Sequence, residues 1–128
     1  MKPKLVRGTR DFASLTVNKR NFIFNTLKEI FIKYGFNALE TPAMESLETL
    51  IGKYGVEGDQ LLFKILNNGD FLSKANSNAL DSRNSKQLSH SISKRALRYD
   101  LTVPFARFVA MNRNNLHFPY RRYQIQPV

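Results

Sequence analysis

Cysteine and tryptophan are both absent from the 128 residues. Without cysteine, disulfides, thiolate chemistry and Cys-based metal sites are excluded. Histidine occurs only as His90 and His117, too few and too far apart for a metal site, so each reads as a surface or loop side chain and no metal is expected. No run approaches the ~20 apolar residues that span a membrane. The opening Met1-Lys2-Pro3-Lys4 has no apolar stretch behind it, which argues against a signal peptide. A soluble, cytosolic protein with no membrane partner is expected. There is no glycine-rich phosphate loop, no nucleophile elbow and no metal-binding histidine pair. Gly52, Gly55 and Gly58 recur every three residues, but no strand precedes them, and they read as turn glycines.

Acidic residues are also scarce, 10 against 20 Lys and Arg, giving a formal net charge of +10. The excess is uneven. Residues 1–64 hold ten basic and seven acidic residues, whereas residues 65–128 hold ten basic and three acidic. A basic half suits a polyanion such as nucleic acid, and it also suits ordinary solubility charge. The apolar share of 42%, with ten Phe and five Tyr, is enough for the core of one ordinary domain.

Phe22, Ile23, Leu27, Ile30, Phe31 and Tyr34 recur at helical spacing and predict a helix over about 15–34, capped by Ser14 or Thr16 and ended by Gly35. Residues 36–41 read as a short strand closed by Pro42. Ser46 is placed to cap a second helix over about 47–54, with Leu47, Leu50, Ile51 and Tyr54 on one face and Gly55 at its end. Residues 61–66 read as a strand, and Asn67-Asn68-Gly69 as a hairpin turn into Asp70-Phe71-Leu72. Residues 73–95 contain seven serines, three asparagines and five basic residues against the single acid Asp81, which predicts a long mobile surface loop. Residues 96–99 read as a short strand. A helix follows to about Arg113, with Thr102 as its cap and Pro104 in its first turn. Residues 120–126 alternate like a strand, and its arrival at the last residues suggests a truncated chain.

The strongest chemical candidate is Arg98-Tyr99-Asp100-Leu101-Thr102-Val103-Pro104. In extended chain, residues i and i+2 face the same side, so Asp100 and Thr102 can converge on one ligand. A carboxylate and a hydroxyl both accept hydrogen bonds from an ammonium group. Thr102 as a plain helix cap, with Asp100 paired to Arg98, fits the same spacing.

The stretch Leu97-Arg98-Tyr99-Asp100-Leu101-Thr102-Val103-Pro104-Phe105-Ala106-Arg107 resembles the signature segment of histidyl-tRNA synthetases, in the form of eukaryotes and some bacteria. Arg7-Gly8-Thr9-Arg10-Asp11 resembles the family's amino-terminal segment. Tyr34-Gly35-Phe36 through Thr41-Pro42 and Glu45 resembles motif 1 of class II synthetases. Gly52-Lys53-Tyr54-Gly55 and Arg122-Tyr123-Gln124-Ile125 also match, in family order. The resemblance implies an α+β fold, a partial class II catalytic domain with an antiparallel sheet flanked by helices. It implies ligation of histidine to its tRNA through histidyl-adenylate, with ATP and Mg2+. Asp100 and Thr102, with Leu101 between them, would hold the amino group of substrate histidine. Gly35, Phe36, Thr41, Pro42 and Glu45 would serve a homodimer interface.

Residues 1–128 then correspond to the amino-terminal part of the catalytic domain. The motif 2 arginine should follow just past Val128, and motif 3 and the histidine-specific loop are missing. Arg98, Arg107 and Arg122 match none of the family's motif arginines. The chain alone is therefore expected to hold no catalytic residue, to bind no ATP and to be inactive. Residues 73–95 look inserted, where many relatives run shorter, so their role is not inherited. The competing expectations are a non-catalytic synthetase-like paralogue and a basic module that binds RNA or a partner protein.

Overall fold

The computed structural model describes residues 2–51 and 61–128. The predicted end of the second helix, Tyr54, the three clustered glycines and the match at 52–55 lie outside the described residues. Two compact units form.

The first unit draws on the chain up to Leu39 and on Arg121–Ile125. Its main element is helix α1, Ser14–Lys33. Ala13 occupies the cap position and makes no side-chain cap bond, so neither Ser14 nor Thr16 caps the helix as expected. The helix end is where the sequence predicted it. Gly35 adopts φ +74°, a conformation that carries little penalty only without a Cβ. Its N–H reaches Ile32 O at 3.0 Å, and Phe36 N–H reaches Phe31 O at 2.9 Å. These two bonds satisfy carbonyls that the helix leaves open, and the Phe31 and Phe36 rings meet at 5.8 Å across the turn. Strand β1, Asn37–Ala38, then pairs with β5, Arg122–Tyr123. The pairing of these two short strands is parallel. Phe31 stacks on Tyr123 at 5.2 Å, which ties α1 to this pair. No residue of α1 is buried.

The second unit comprises Glu40–Tyr120 and Gln126–Val128. Its sheet is antiparallel, in the order β2 (Met44–Ser46), β4 (Arg95–Leu97), β3 (Lys64–Ile65). Residues 47–51 are helical, directly after Ser46 ends β2. Leu47 and Leu50 of that turn pack with Leu62, Ala96 and Val103 into the core, with Ile51 and Tyr99 against it. Helix α4, Thr102–Asn112, continues into a short 3-10 turn at Arg113–Asn115.

Two expectations fail in this unit. The hairpin at Asn67-Asn68-Gly69 does not form with residues 70–72, because β3 pairs instead with β4 on the far side of residues 73–95. Gly69 does take the positive φ, +72°, so the turn is present but leads elsewhere. The predicted irregular loop contains two helices, α2 (Ser77–Asp81) and α3 (Ser85–Ile92). Asn76 and Asn84 act as their caps, accepting from Ala79 N and Gln87 N at 3.0 Å. An asparagine three residues before the donor is a helix-start signal as well as a loop marker. The polar composition hid that second meaning. Among the described residues no helix is long and apolar enough to cross a membrane.

Candidate functional site

The site segment runs from β4 into α4. Ala96 and Arg98 face the core while Leu97 is exposed, the period of two that a strand imposes. Inward-facing Arg98 is 5% exposed. Its Nη1 donates to Thr41 O at 2.7 Å, Thr41 Oγ1 at 2.9 Å, Pro42 O at 3.2 Å and Gln126 Oε1 at 3.3 Å. Its Nε and Nη2 both donate to Pro127 O. The planar fork of arginine suits such divergent acceptors, which a lysine could not serve together. Arg98 thereby joins the chain around Thr41-Pro42, the end of β4 and the chain at 126–127. Asp100 lies two residues on, so this network positions it.

Asp100 itself meets the start of α4. Its Oδ1 accepts from Thr102 N at 3.1 Å and from Val103 N at 3.4 Å. These amides belong to the first turn of the helix, where no intrahelical acceptor exists. The expected roles are therefore redistributed. Thr102 makes no side-chain cap bond, and half-buried Leu101 stands at the cap position. The acceptor that closes the helix start is the Asp100 carboxylate. Thr102 is exposed and lines a groove of about 500 Å³ along α4, together with Phe105, Ala106, Val109, Arg113 and Phe118. Asp100 is not part of that described wall. The chain brings the two residues together through a bond from the Thr102 backbone amide to the Asp100 carboxylate. What the arrangement offers a ligand is a carboxylate at a rigid strand-to-helix corner, with a hydroxyl one turn-start away. Such a corner is suited to an ammonium group.

The residues assigned to motif 1 divide between the two units. Gly35 and Phe36 form the end of α1. Thr41 is buried and accepts from Arg98, and Pro42 is exposed. Glu45, on β2, is buried and turned inward. Its carboxylate takes a two-pronged ion pair from Arg107 of α4, with Nε–Oε2 and Nη2–Oε1 both at 2.7 Å. Such a paired geometry is the stronger kind of charge-assisted bond. It fixes α4 against β2. Sequence reasoning missed both Arg98 and Arg107 as structural organisers. For Arg98 the available signal was its place in the inward phase of a strand, although hydropathy reads an arginine as outward.

A second cleft, about 690 Å³, is lined by Ser46, Leu47, Glu48, Ile51, His90, Ser93 and Lys94. It contains neither Asp100 nor Thr102. Among the described residues no group of His, Cys, Asp and Glu could hold a metal ion.

No family model matches the sequence. Individual relatives do. The chain is 58% identical over 127 residues to a histidine–tRNA ligase of Christiangramia forsetii and 59% identical to one of Cytophaga hutchinsonii. A histidine–tRNA ligase of Bacteroides fragilis is 54% identical. Each alignment covers 99% of this chain and 28% of the relative. The fold is similar to the crystal structure of histidyl-tRNA synthetase from Nostoc, with a TM-score of 0.70 and 26% identity over 98% of this chain and 23% of that one. It is also similar to a Bacillus halodurans structure described as an ATP phosphoribosyltransferase regulatory subunit/histidyl-tRNA synthetase, with a TM-score of 0.66 and 25% identity. In sequence and in fold the chain is thus similar to part of the histidyl-tRNA synthetases, and it spans a little over a quarter of the length of the curated relatives it matches.

Proposed function

We propose that this chain is the amino-terminal part of the catalytic domain of a ligase that joins histidine to its tRNA through histidyl-adenylate. The observation that carries the reading is Asp100, a carboxylate held at a rigid corner within a segment that matches the family signature. Free histidine is a zwitterion, and its ammonium needs an acceptor when it leaves water. Asp100 supplies a charged one, Leu101 sets the corner, and the Thr102 hydroxyl offers a second. ATP, with Mg2+, is the second substrate. It calls for cations around the α-phosphate, where charge develops in the transition state. The arginines of this chain that structure the site are committed elsewhere, Arg98 to carbonyls and Arg107 to Glu45. The chain by itself is accordingly inactive, and the full-length protein works in the cytoplasm.

Homodimerisation completes the reading. On α1, Phe22 is 74% exposed and Ile23 54%, with Leu27 and Ile30 also open to solvent. Such a contiguous apolar face favours burial against a second copy. Sedimentation equilibrium of the full-length protein should give twice the subunit mass.

The decisive experiment is histidine-dependent ATP–pyrophosphate exchange. The full-length protein should exchange, and the 128-residue chain should not. A second reading is favoured by the Bacillus halodurans neighbour, whose description names a regulatory subunit beside the synthetase. In that case the full-length protein would bind histidine and catalyse no exchange.

A further inference from the structure

Between β3 and β4 the chain closes a pocket that takes no part in the histidine corner. Asn67 ties its two ends together. Its N–H donates to Ile92 O at 2.8 Å, its side-chain oxygen accepts from Lys94 N at 3.0 Å, and its amide donates to Ser91 O at 3.4 Å. Asp70 is committed to the turn, where Oδ1 accepts from Leu72 N and Ser73 N. The result is a cleft of about 390 Å³, lined by Lys74, Lys94 and Arg95, by Asn67 and Asn68, and by Phe71, with Asp70 at its edge.

We infer that this cleft binds the phosphodiester backbone of RNA. Three cations face one carboxylate. Lys74 and Lys94 are exposed and can meet an incoming anion. Arg95 is half-buried, and its Nη2 donates to Asn68 Oδ1 at 3.0 Å, which holds the guanidinium plane in place before any ligand arrives. Phe71 is half-buried in the wall and offers a ring on which an unpaired base can stack.

The distribution of charge favours a polyanion over a lone phosphate. The cations line an open cleft and do not converge on one buried point. Exposed Arg83 and Lys86 extend the same sign along α2 and α3, and residues 73–95 carry five basic residues against one acid. Spaced surface cations gain affinity by releasing counterions from consecutive phosphates, a gain that a single phosphate does not provide. If the proposed function holds, the RNA is the histidine tRNA. The preference for a phosphodiester rests on the cleft and the basic residues of 73–95, not on that reading.

The test uses the full-length protein carrying Lys74→Glu and Lys94→Glu, with histidine tRNA binding followed by fluorescence anisotropy across a salt series. Affinity should fall at least ~10-fold, and the slope of log K against log salt should shrink by about two, one for each lysine–phosphate contact. Histidine-dependent ATP–pyrophosphate exchange uses no tRNA and should stay at the wild-type level. Unchanged affinity and slope would overturn the inference. So would full displacement of the tRNA by inorganic phosphate at matched ionic strength, which would mark a single-anion site. If the double variant also loses exchange, the neutral pair Lys74→Gln and Lys94→Gln decides: a smaller slope with intact exchange supports the cleft, and an unchanged slope refutes it. Absence of exchange in the wild type would defeat the proposed function and leave the RNA result standing.

Discussion

Replacing Asp100 by asparagine and by alanine separates the capping that this carboxylate performs from the substrate role proposed for it. Its Oδ1 closes the start of α4 through bonds of 3.1 and 3.4 Å to the Thr102 and Val103 amides. Asparagine keeps an oxygen in that place, and Asn and Asp are about equal as helix caps. Only the favourable placement of negative charge at the helix start is lost, worth about 0.3–1 kcal/mol. Alanine removes the acceptor as well, at a cost of about 1 kcal/mol. The substrate role responds differently. Losing a charge-assisted bond to an ammonium group costs about 1.5–3 kcal/mol, or roughly 10- to 150-fold in affinity. Asp100→Asn in the full-length protein should therefore raise the Michaelis constant for histidine in the exchange assay by at least ~10-fold, while that for ATP stays nearly constant. Amide exchange at Thr102 and Val103 should stay protected in Asp100→Asn and accelerate in Asp100→Ala. If Asp100→Asn binds histidine as tightly as the wild type while Asp100→Ala frays the helix, Asp100 is a cap alone and the substrate assignment is wrong.

Other substitutions address the supports of the site. Arg98→Met strands the carbonyls of Pro42 and Pro127, while Thr41 O keeps the Gln126 amide at 3.2 Å. It should destabilise the protein by about 2–4 kcal/mol in urea unfolding, since each buried group left unsatisfied costs about 1–3 kcal/mol and some recover water. Glu45→Gln breaks the pair with partly exposed Arg107, and a loss of about 2 kcal/mol is expected, below the 3–5 kcal/mol of a fully buried pair. A denaturation midpoint unchanged from wild type would show that the pair contributes nothing. Gly35→Ala puts a Cβ at φ +74° with Arg121 Nη1 4.0 Å away, so the cost is conformational and should be about 1 kcal/mol, read as a lowered thermal midpoint.

The amino-acid sequence by itself determined the features that depend on near neighbours. The apolar period of α1, its end at Gly35 and the short strand after it follow from local sterics and side-chain spacing. The segment from Leu97 to Arg107 carried the resemblance to histidyl-tRNA synthetases and marked the corner at which Asp100 sits. The tertiary structure decided everything that depends on distant partners. Strands of two or three residues carry almost no periodic signal, so the pairing of β3 with β4 could not be read from a turn at Gly69 that pointed elsewhere. Asn76 and Asn84 suit loops and helix caps equally, and they became caps where Ala79 found a fully buried place. Hydropathy places an arginine outside. Arg98 lies inside because the backbone carbonyls of Thr41 and Pro127, 57 and 29 residues away, converge there and replace the water it gives up.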